Sequence, residues 1–488
     1  MKGRLLNCFL TQCRIITGRK SKLIVPQMIS ERIVPITRKI DTPQFRALFT
    51  PELNKLNDLF VKNKFQLRMA GGAVRDLLMG IKPVDVDFAT NATPEEMKAN
   101  VDRSISAEKI KCEMFTREEV RMLNKNGEEH GTVTCRIDDK ENFEITTLRI
   151  DILCDGRRAE VEFTTDWQLD ANRRDLTVNS LFLDFDGTVI DYFGGINDLE
   201  NRRIIFVGDA NQRIQEDYLR ILRYFRFFGR LALDGKRHEK STLEAITINK
   251  DGLKDISGER IWMELKKICV GRLGGDVLTT MLQQCGLASL LGLPENAETS
   301  YFCILYERFS PNIEAMTLLS SLFTDIEQIE VFHQRCKLSY AEKSLAEFIL
   351  NLRDQAKENS CSILYFQNVL LHEERLHKFT RKKVQTTREK VIELAKYVMA
   401  EDKLINELSM WEAPVFPVGG VDLLRNKVPS GPVVKLILDH LFKLWIESQW
   451  TLSKEELLKH INDNEWGEEK RLEKLKRRHS SADRQEVL

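Results

Sequence analysis

Two aspartates separated by one residue, Asp85 and Asp87, are the most informative chemical groups in the sequence. They alternate with apolar residues, a pattern that predicts a strand with both carboxylates on one face and Val84, Val86 and Phe88 packed on the other. Adjacent carboxylates repel each other unless a cation lies between them, and magnesium takes oxygen ligands from one or two carboxylates together with substrate phosphates. The pair therefore predicts a magnesium site for nucleotidyl or phosphoryl transfer.

A pair of glycines follows a strand signal shortly before the aspartates. Residues 65–70 read as a strand, and Gly71 and Gly72 can adopt backbone angles closed to other residues and let main-chain amides approach a triphosphate. Arg75 then offers a planar guanidinium to phosphate oxygens. Alone, Gly-Gly indicates an ordinary turn, and Asp-x-Asp a solvated loop or a calcium site. In this order, they predict a phosphate cradle that leads into a metal site. The glycine patterns of P-loop and dinucleotide-binding proteins do not follow the strand.

A two-metal site needs a third carboxylate, because one ion activates the attacking hydroxyl while the other holds the triphosphate. We predict Glu144, which lies on an alternating strand whose neighbours Phe143 and Ile145 point the other way. The competing candidates are Asp138, Asp139, Asp151 and Glu162.

Two adjacent arginines and an aspartate, Arg173, Arg174 and Asp175, open a segment that predicts a helical turn running into a strand. The arginines could bind the phosphates and sugar of a nucleotide while Asp175 holds a guanidinium in place. A salt bridge at the start of a helix is the alternative interpretation.

A second polar group falls within a predicted helix over residues 213–227. At helical spacing Asp217, Arg220 and Tyr224 share one face, with Glu216 and Arg223 beside it, and the opposite stripe is apolar: Ile214, Leu222, Phe225 and Phe228. Aspartate accepts hydrogen bonds and arginine donates them, so together they could read the Watson-Crick edges of cytosine and adenine. The alternative is an exposed helix stabilised by weak ion pairs.

The elements that must position these residues change character along the chain. Strand signals dominate residues 65–193, and Asp186-Gly187 is the turn signal of a hairpin between strands at 181–184 and 189–192. From about residue 210 onward the periodicity is helical, so we place a boundary near 198–211. A polar segment at 100–111 reads as a surface insertion. The predicted class is α+β, a mixed sheet with helices followed by all-α domains.

Length and composition indicate a globular protein of several domains. The chain has 488 residues, 42% of them hydrophobic, and its 74 basic and 74 acidic residues cancel, so any basic surface must be local. No apolar run is long enough to span a membrane. Ten cysteines without a Cys-x-x-Cys pair indicate reduced thiols, and Cys135 and Cys269 read as core residues.

Both ends of the chain are basic. Residues 1–30 contain lysines and arginines and no acidic residue, which is typical of a mitochondrial presequence, with a basic arm as the alternative. Met28 offers an internal start that would remove this segment. A basic helix predicted at 468–478 could contact RNA phosphate or be a solvated helix end.

Taken together, these motifs closely resemble the class II tRNA nucleotidyltransferases, the CCA-adding enzymes, and in particular their animal mitochondrial type. The resemblance covers residues 40–290 strongly and the remainder weakly, and the segment near 100–111 departs from the family pattern. The matching motifs are Gly71–Asp76, Asp85–Asp87, Arg173–Asp175, Glu216–Arg220 and the helix Ile256–Leu265 at the neck and body junction.

The resemblance implies roles for these residues. Asp85 and Asp87 would bind magnesium, and with Glu144 they form our predicted catalytic set. Asp217 and Arg220 would act as a protein template for C and then A. In the junction helix, Glu259 and Arg260 are expected to hold helices together rather than touch substrate. The predicted nucleotide-binding set is Gly71, Gly72, Arg75, Asp76, Arg173, Arg174, Asp175, Asp217, Arg220 and Arg223.

The resemblance also implies an organisation and an activity. We expect a polymerase-β-like nucleotidyltransferase head at 31–198, a neck at 199–255, a helical body at 256–360 and a tRNA-binding tail at 361–488. The expected reaction transfers CMP and AMP from CTP and ATP to the 3′ end of tRNA. Partners are then tRNA and nucleotides without a membrane, in a monomer or homodimer. The matrix is the expected location, with cytoplasm and nucleus reached through the internal start.

Two other functions remain open at this stage. A bacterial-type poly(A) polymerase shares the head motifs and differs in its product. A non-catalytic RNA-binding protein of the same fold is the second alternative, although every expected acidic and basic position is filled.

Overall fold

The computed structural model describes residues 23–24, 32–97, 131–138, 140–154, 159–378 and 387–463. The predicted insertion at 100–111, the basic segment at 468–478 and most of residues 1–30 lie outside these ranges. The chain forms two compact units, residues 1–351 and 352–488. The finer domain boundaries that we expect from the family stay predictions.

The first unit contains the mixed sheet that the sequence predicts. Its seven strands run in the order β2-β10-β9-β3-β4-β6-β5. Neighbours are antiparallel except β4 and β6, which are parallel. A smaller sheet has the order β1-β7-β8. The described strands are β1 Leu23–Ile24, β2 Ile36–Lys39, β3 Leu67–Ala70, β4 Asp87–Thr90, β5 Thr132–Ile137, β6 Glu141–Thr147, β7 Arg149–Cys154, β8 Ala159–Phe163, β9 Phe182–Leu183 and β10 Thr188–Asp191.

Helices cover both faces of the large sheet. On one face, α2 packs against β3 and β5, and Leu56, Met69 and Phe88 belong to one apolar cluster. On the other, Trp167 of α4 packs with Ala89 and Phe182. The helices that belong to this part of the chain are α1 Pro43–Arg46, α2 Pro51–Lys62, α3 Gly72–Leu78, α4 Trp167–Asn172 and α5 Gly195–Glu200.

The described chain beyond α5 is helical, as the change in periodicity predicts. The first unit continues with α6 Ala210–Glu216, α7 Arg220–Leu231, α8 Lys240–Asn249, α9 Gly258–Cys269, α10 Gly274–Thr279, α11 Ser300–Phe309, α12 Ala315–Ser320, α13 Ile326–Cys336 and α14 Tyr340–Glu358, whose last residues enter the second unit. Short 3-10 turns occupy 177–179, 250–255 and 289–291, and residues 280–284 form a π-helical turn.

The second unit has its own apolar core, built around Leu423, Leu441, Trp445 and Leu457. Its described helices are α15 Ile363–Lys378, α16 Thr387–Tyr397, α17 Asp402–Met410, α18 Gly420–Arg425, α19 Pro432–Glu447 and α20 Lys454–Leu458, followed by a 3-10 turn at 459–462. None of the helices described in either unit is long and apolar enough to cross a membrane.

Two local predictions are wrong. The strand predicted at 84–88 begins only at Asp87, and Val84 is 95% exposed instead of packed. The residues that precede Asp87 do not pair with either neighbouring strand, β3 or β6. The helix predicted at 213–227 is interrupted between Glu216 and Arg220, because Asp217 is extended, with φ −152° and ψ 107°. Its carboxylate accepts a hydrogen bond from the Leu219 amide, a local bond that competes with the helical pattern.

Tyr224 also departs from its predicted position on the polar face. It is fully buried, stacks on Phe206, and shares a hydrogen bond with His238 Nδ1 at 3.0 Å. The polar face therefore does not continue from Asp217 through Tyr224.

Candidate active site

The predicted third carboxylate lies beside the aspartate pair. In the parallel register of β4 and β6, Asp87 stands directly opposite Glu144, so both side chains project from the same face of the sheet. Desolvation and then repulsion from Asp87 and Asp85 raise the pKa of Glu144. Desolvation is also the largest cause raising the pKa of Asp87, where Arg174 opposes and Asp85 adds to the shift. These three carboxylates therefore form one electrostatic group.

The competing carboxylates that the structure describes have other surroundings, while Asp139 lies outside the described residues. Asp138 is paired with Lys55, and Glu162 pairs with Ile150 in the β7-β8 hairpin. Asp151 lies in the same hairpin, where it acts electrostatically on Arg149 and Arg173. The role of Glu144 stays a prediction. The register favours Glu144 over those competing carboxylates that the structure describes.

The donor set fits a hard cation. Asp85, Asp87 and Glu144 offer only carboxylate oxygens, which are the ligands that magnesium prefers, and their mutual repulsion is relieved by a cation. Among the described residues, no three His, Cys, Asp or Glu side chains already stand at ligating separations. A magnesium ion at this edge would therefore draw further ligands from water or substrate phosphates, as such sites usually do.

Replacing Glu144 with glutamine is expected to stabilise the metal-free protein. The raised pKa means that the ionised carboxylate costs free energy in the folded state, and the neutral amide removes that cost. The melting temperature without divalent ions should rise relative to the unsubstituted protein, and the gain should shrink when magnesium is added. A melting temperature that does not respond to the substitution in either condition would contradict the shared carboxylate group.

The Gly-Gly turn lies between β3 and α3, as predicted. Gly71 has φ 63° and ψ −117°, a conformation closed to residues with a side chain, and its amide donates to Leu181 O at 2.9 Å. A Cβ atom placed on Gly71 would lie 3.0 Å from Arg174 Nη1. Glycine therefore lets the Arg174 guanidinium pass directly over the turn.

Arg75 is placed differently from the expected phosphate fork. Its side chain is 3% exposed, and it donates from Nε and Nη2 to Asp76 Oδ1 and from Nη1 to Asn179 Oδ1. The other Asp76 oxygen accepts from Arg230 of α7 at 2.9 Å. These contacts favour a positioning role for Arg75 and Asp76, joining the turn to the helical neck, over direct contact with a nucleotide.

Arg173 and Arg174 share a buried partner that the sequence analysis missed. Asp170, which is 1% exposed, accepts from Arg173 Nε at 2.9 Å and from Arg174 Nη2 at 3.0 Å. Burial opposes its ionisation, but the two arginines lower the pKa of Asp170. The spacing of three and four residues, at which side chains on a helix meet, is the signal that could have found it.

Removing this carboxylate is expected to affect both stability and nucleotide binding. Asp170→Ala leaves two arginines that are less than one fifth exposed without their partner, a change that costs roughly 3 kcal/mol in comparable buried pairs. Denaturant unfolding should show this loss, and steady-state kinetics should show a higher KM for both nucleotide substrates because Arg174 is no longer oriented.

The matched control is Asp41→Ala, which removes an exposed carboxylate from its pair with Arg46. Exposed ion pairs contribute little to stability, so its unfolding midpoint should barely change. An Asp170→Ala protein with the control's stability and an unchanged KM would contradict the positioning role.

Asp175 holds Arg223 of α7, which agrees with the prediction that this carboxylate holds a guanidinium. It accepts from Arg223 Nε at 2.7 Å and Nη2 at 2.6 Å, and burial of the carboxylate is outweighed by Arg223 and Arg220, so that the pKa of Asp175 is lowered. The Arg223 side chain as a whole is one third exposed. Arg220 is more enclosed, donating to Glu216, to Arg213 O and to Arg173 O.

Asp217 is oriented by contacts from two directions. Its Oδ1 accepts from the Leu219 amide at 3.1 Å, and its Oδ2 accepts from Arg260 of α9 at 2.8 Å. The Arg260 contact agrees with the helix-holding role expected for that residue. Asp217 and Arg220 thus occupy the same turn but are bound to different partners, with the Asp217 side chain 28% exposed.

The mixed sheet with its carboxylate group and glycine turn is the arrangement expected of a nucleotidyltransferase with a polymerase-like head. The model named "Poly A polymerase head domain" matches residues 67–205, and "Probable RNA and SrmB-binding site of polymerase A" matches residues 238–291. CCA tRNA nucleotidyltransferase 1, mitochondrial, of Danio rerio is 47% identical over 88% of this chain and 94% of its own length. Its Homo sapiens counterpart is 44% identical over 92% and 97%. The chain therefore belongs to the CCA tRNA nucleotidyltransferase family.

A solved relative agrees with this assignment. The CCA-adding enzyme of Bacillus stearothermophilus, determined in complex with CTP, is 25% identical and superposes with a TM-score of 0.64. The alignment covers 88% of this chain and all of that one. Membership in the family makes this protein an enzyme and confirms the predicted fold class.

Proposed function

We propose that this protein adds CMP, CMP and AMP to the 3′ end of tRNA without a nucleic-acid template, using CTP and ATP and releasing pyrophosphate. Its relatives are named for this activity on tRNA, and the Bacillus enzyme was solved with CTP. The observation that carries the proposal is the Asp87-Glu144 register beside Asp85, next to a turn crossed by Arg174.

Each part of the site has a role in the proposed reaction. Asp85 and Asp87 would hold magnesium, with Glu144 beside them as the third carboxylate, and the bound ion would neutralise phosphate charge and activate the attacking hydroxyl. The backbone at Gly71 and Gly72 leaves room for a triphosphate, and Arg174 offers a guanidinium beside it. Arg223, held by Asp175, has its exposed side free for the nucleotide. Most of the catalysis is then positioning and charge neutralisation.

Base selection falls to the interrupted turn between α6 and α7. Asp217 can accept from the exocyclic amino groups of cytosine and adenine, and arginine at 220 or 223 can donate to their ring nitrogens. Uracil and guanine present the opposite pattern at these positions. The fixed orientation of the Asp217 carboxylate supports this role.

A nucleotide-by-nucleotide extension assay tests the proposal. A tRNA that ends before its CCA is incubated with each nucleotide alone and in pairs, and the 3′ ends are sequenced. CTP alone should add two residues, and CTP with ATP should complete CCA and stop. A long adenosine tract from ATP would indicate a poly(A) polymerase, and absence of pyrophosphate release with every nucleotide would indicate a protein that only binds RNA.

The location also belongs to the proposal. The animal relatives are named mitochondrial, and residues 1–30 are basic, so we place the full-length protein in the mitochondrial matrix. Initiation at Met28 would remove this segment and leave a form for the cytoplasm and nucleus. Imaging of reporter fusions that begin at Met1 or at Met28 tests both statements. Sedimentation of the purified protein decides between monomer and homodimer.

A further inference from the structure

The turn that holds Asp217 packs against a second turn, at residues 249–255. Tyr218 follows Asp217 in the break between α6 and α7, and its ring lies directly on Gly252. A Cβ atom on Gly252 would lie 2.1 Å from Tyr218 Cδ1, 2.2 Å from Cε1 and 2.3 Å from Cγ. Since real contacts are never this short, the ring can occupy its place only because residue 252 is glycine.

A buried amide of the same turn holds the preceding helix. Asn249, 8% exposed, accepts from Gln215 Nε2 and donates from Nδ2 to Asn211 Oδ1, both at 2.9 Å. Its Nδ2 also donates to Ala245 O at 2.8 Å, within its own helix α8. Asn249 thus contacts α6 at Asn211 and at Gln215, two residues before Asp217, and Gly252 contacts Tyr218, the residue that follows Asp217.

The supporting turn is itself anchored to the body helices. Arg335 of α13 donates to Leu253 O at 2.7 Å and to Ile256 O at 3.1 Å, and from Nε to Leu290 O at 2.9 Å. Because Arg335 binds the carbonyl oxygens of Leu253 and Ile256, the turn has little freedom to move away from Tyr218. A group added at residue 252 would therefore displace Tyr218 rather than the turn.

We propose that Gly252 and Asn249 are positioning residues for base selection, which set the place of the Asp217 carboxylate through Tyr218 and through α6. The proposal rests on the proposed function of Asp217 as the base-reading acceptor. Neither residue touches the nucleotide. Their contribution is to keep the break between α6 and α7 in the one position where the carboxylate meets the base edge.

The test uses the full-length enzyme with tRNA ending before CCA and compares kcat/KM for CTP with that for UTP. Gly252→Ala is expected to lower this ratio by roughly ten- to a hundredfold, since misplacement of a reacting group by about 1 Å has effects of that size. Asn249→Ala adds no atoms and should lower the ratio in the same direction. The matched control is Asp251→Ala, on the same turn, whose carboxylate is 72% exposed and paired only with the exposed Lys254 among its described contacts.

A double variant tests whether the effect travels through Tyr218. If the contact carries the coupling, Gly252→Ala with Tyr218→Ala should be no worse than the poorer single variant, because effects at touching residues are not additive. Melting temperatures are measured for every variant. Should Gly252→Ala fail to fold, the Asn249→Ala ratio and the Tyr218→Ala ratio decide the matter.

The outcomes separate this inference from the function on which it rests. A reduced CTP-to-UTP ratio in Gly252→Ala and Asn249→Ala, with Asp251→Ala unchanged, supports the positioning role. If Asp217→Ala lowers the ratio while the folded Gly252 and Asn249 variants keep it, the positioning role is overturned. If Asp217→Ala itself leaves the ratio intact, the proposed base-reading function fails and the inference fails with it.

Discussion

Replacing Asp87 with alanine is expected to lower the rate of nucleotide addition by roughly a thousandfold. Asp87 is the carboxylate that faces both Asp85 and Glu144, so its removal takes away the central ligand of the proposed magnesium site. Charge stabilisation by a metal ion supplies several kcal/mol to such reactions, and about 1.4 kcal/mol corresponds to a factor of ten. Single-turnover extension of tRNA with CTP measures the loss directly.

The loss is expected without unfolding. Desolvation raises the pKa of Asp87, so the ionised carboxylate costs free energy in the metal-free fold, and alanine removes that cost. The Asp87→Ala protein should therefore melt at or above the temperature of the unsubstituted protein. Asp58→Ala, at an exposed position on α2, serves as the control and should retain full activity. Near-normal addition by Asp87→Ala in magnesium would rule out the proposed metal role.

The head could be predicted well because its strands alternate in polarity. The hairpin at Asp186-Gly187 and the strand carrying Glu144 both follow from local patterns. The parallel pairing of β4 with β6 could not be predicted, since it joins segments far apart in the chain. This pairing, and no local signal, is what places Glu144 beside Asp87.

The arginine motif shows a different limit of sequence reasoning. Neighbouring arginines indicate a charged site, but which carboxylate holds which guanidinium depends on the fold. Asp170 accepts hydrogen bonds from Arg173 and Arg174, while Asp175 accepts from Arg223 of α7. The general prediction of an aspartate fixing a guanidinium was right, and the partner came from a distant helix.

The break between α6 and α7 was missed because tertiary contacts act there together with the local hydrogen bond from the Leu219 amide to Asp217. Residues 213–227 have an unbroken helical period, yet Asp217 is extended. Its carboxylate accepts a hydrogen bond from Arg260, and the ring of Tyr218 packs on Gly252. Local propensity is readily overridden when distant contacts repay the lost helical hydrogen bonds. The interruption is also what exposes Asp217 at a helix end.

Replacing Asp217 with alanine is expected to lower the selectivity of the enzyme for CTP over UTP much more than its rate of nucleotide addition. The ratio of kcat/KM for CTP over UTP should fall by roughly a hundredfold, because the variant loses an acceptor for the cytosine amino group, a contact that contributes about 1 to 3 kcal/mol. Addition from CTP itself should fall less, since the carboxylates of the head are untouched. Arg260→Ala should have a smaller effect in the same direction, because the Leu219 amide still orients Asp217 Oδ1.

The arginine substitutions decide which donor completes the base contact. Arg220 already donates to Glu216, Arg213 O and Arg173 O, whereas Arg223 keeps a third of its side chain exposed. If Arg220 reads the base, Arg220→Ala should lower selectivity together with Asp217→Ala, and Arg223→Ala should mainly raise KM for both nucleotides. The reverse result would move the donor role to Arg223. Glu244→Ala, an exposed position on α8, is the control, and unchanged selectivity in Asp217→Ala would refute a base-reading carboxylate at this turn.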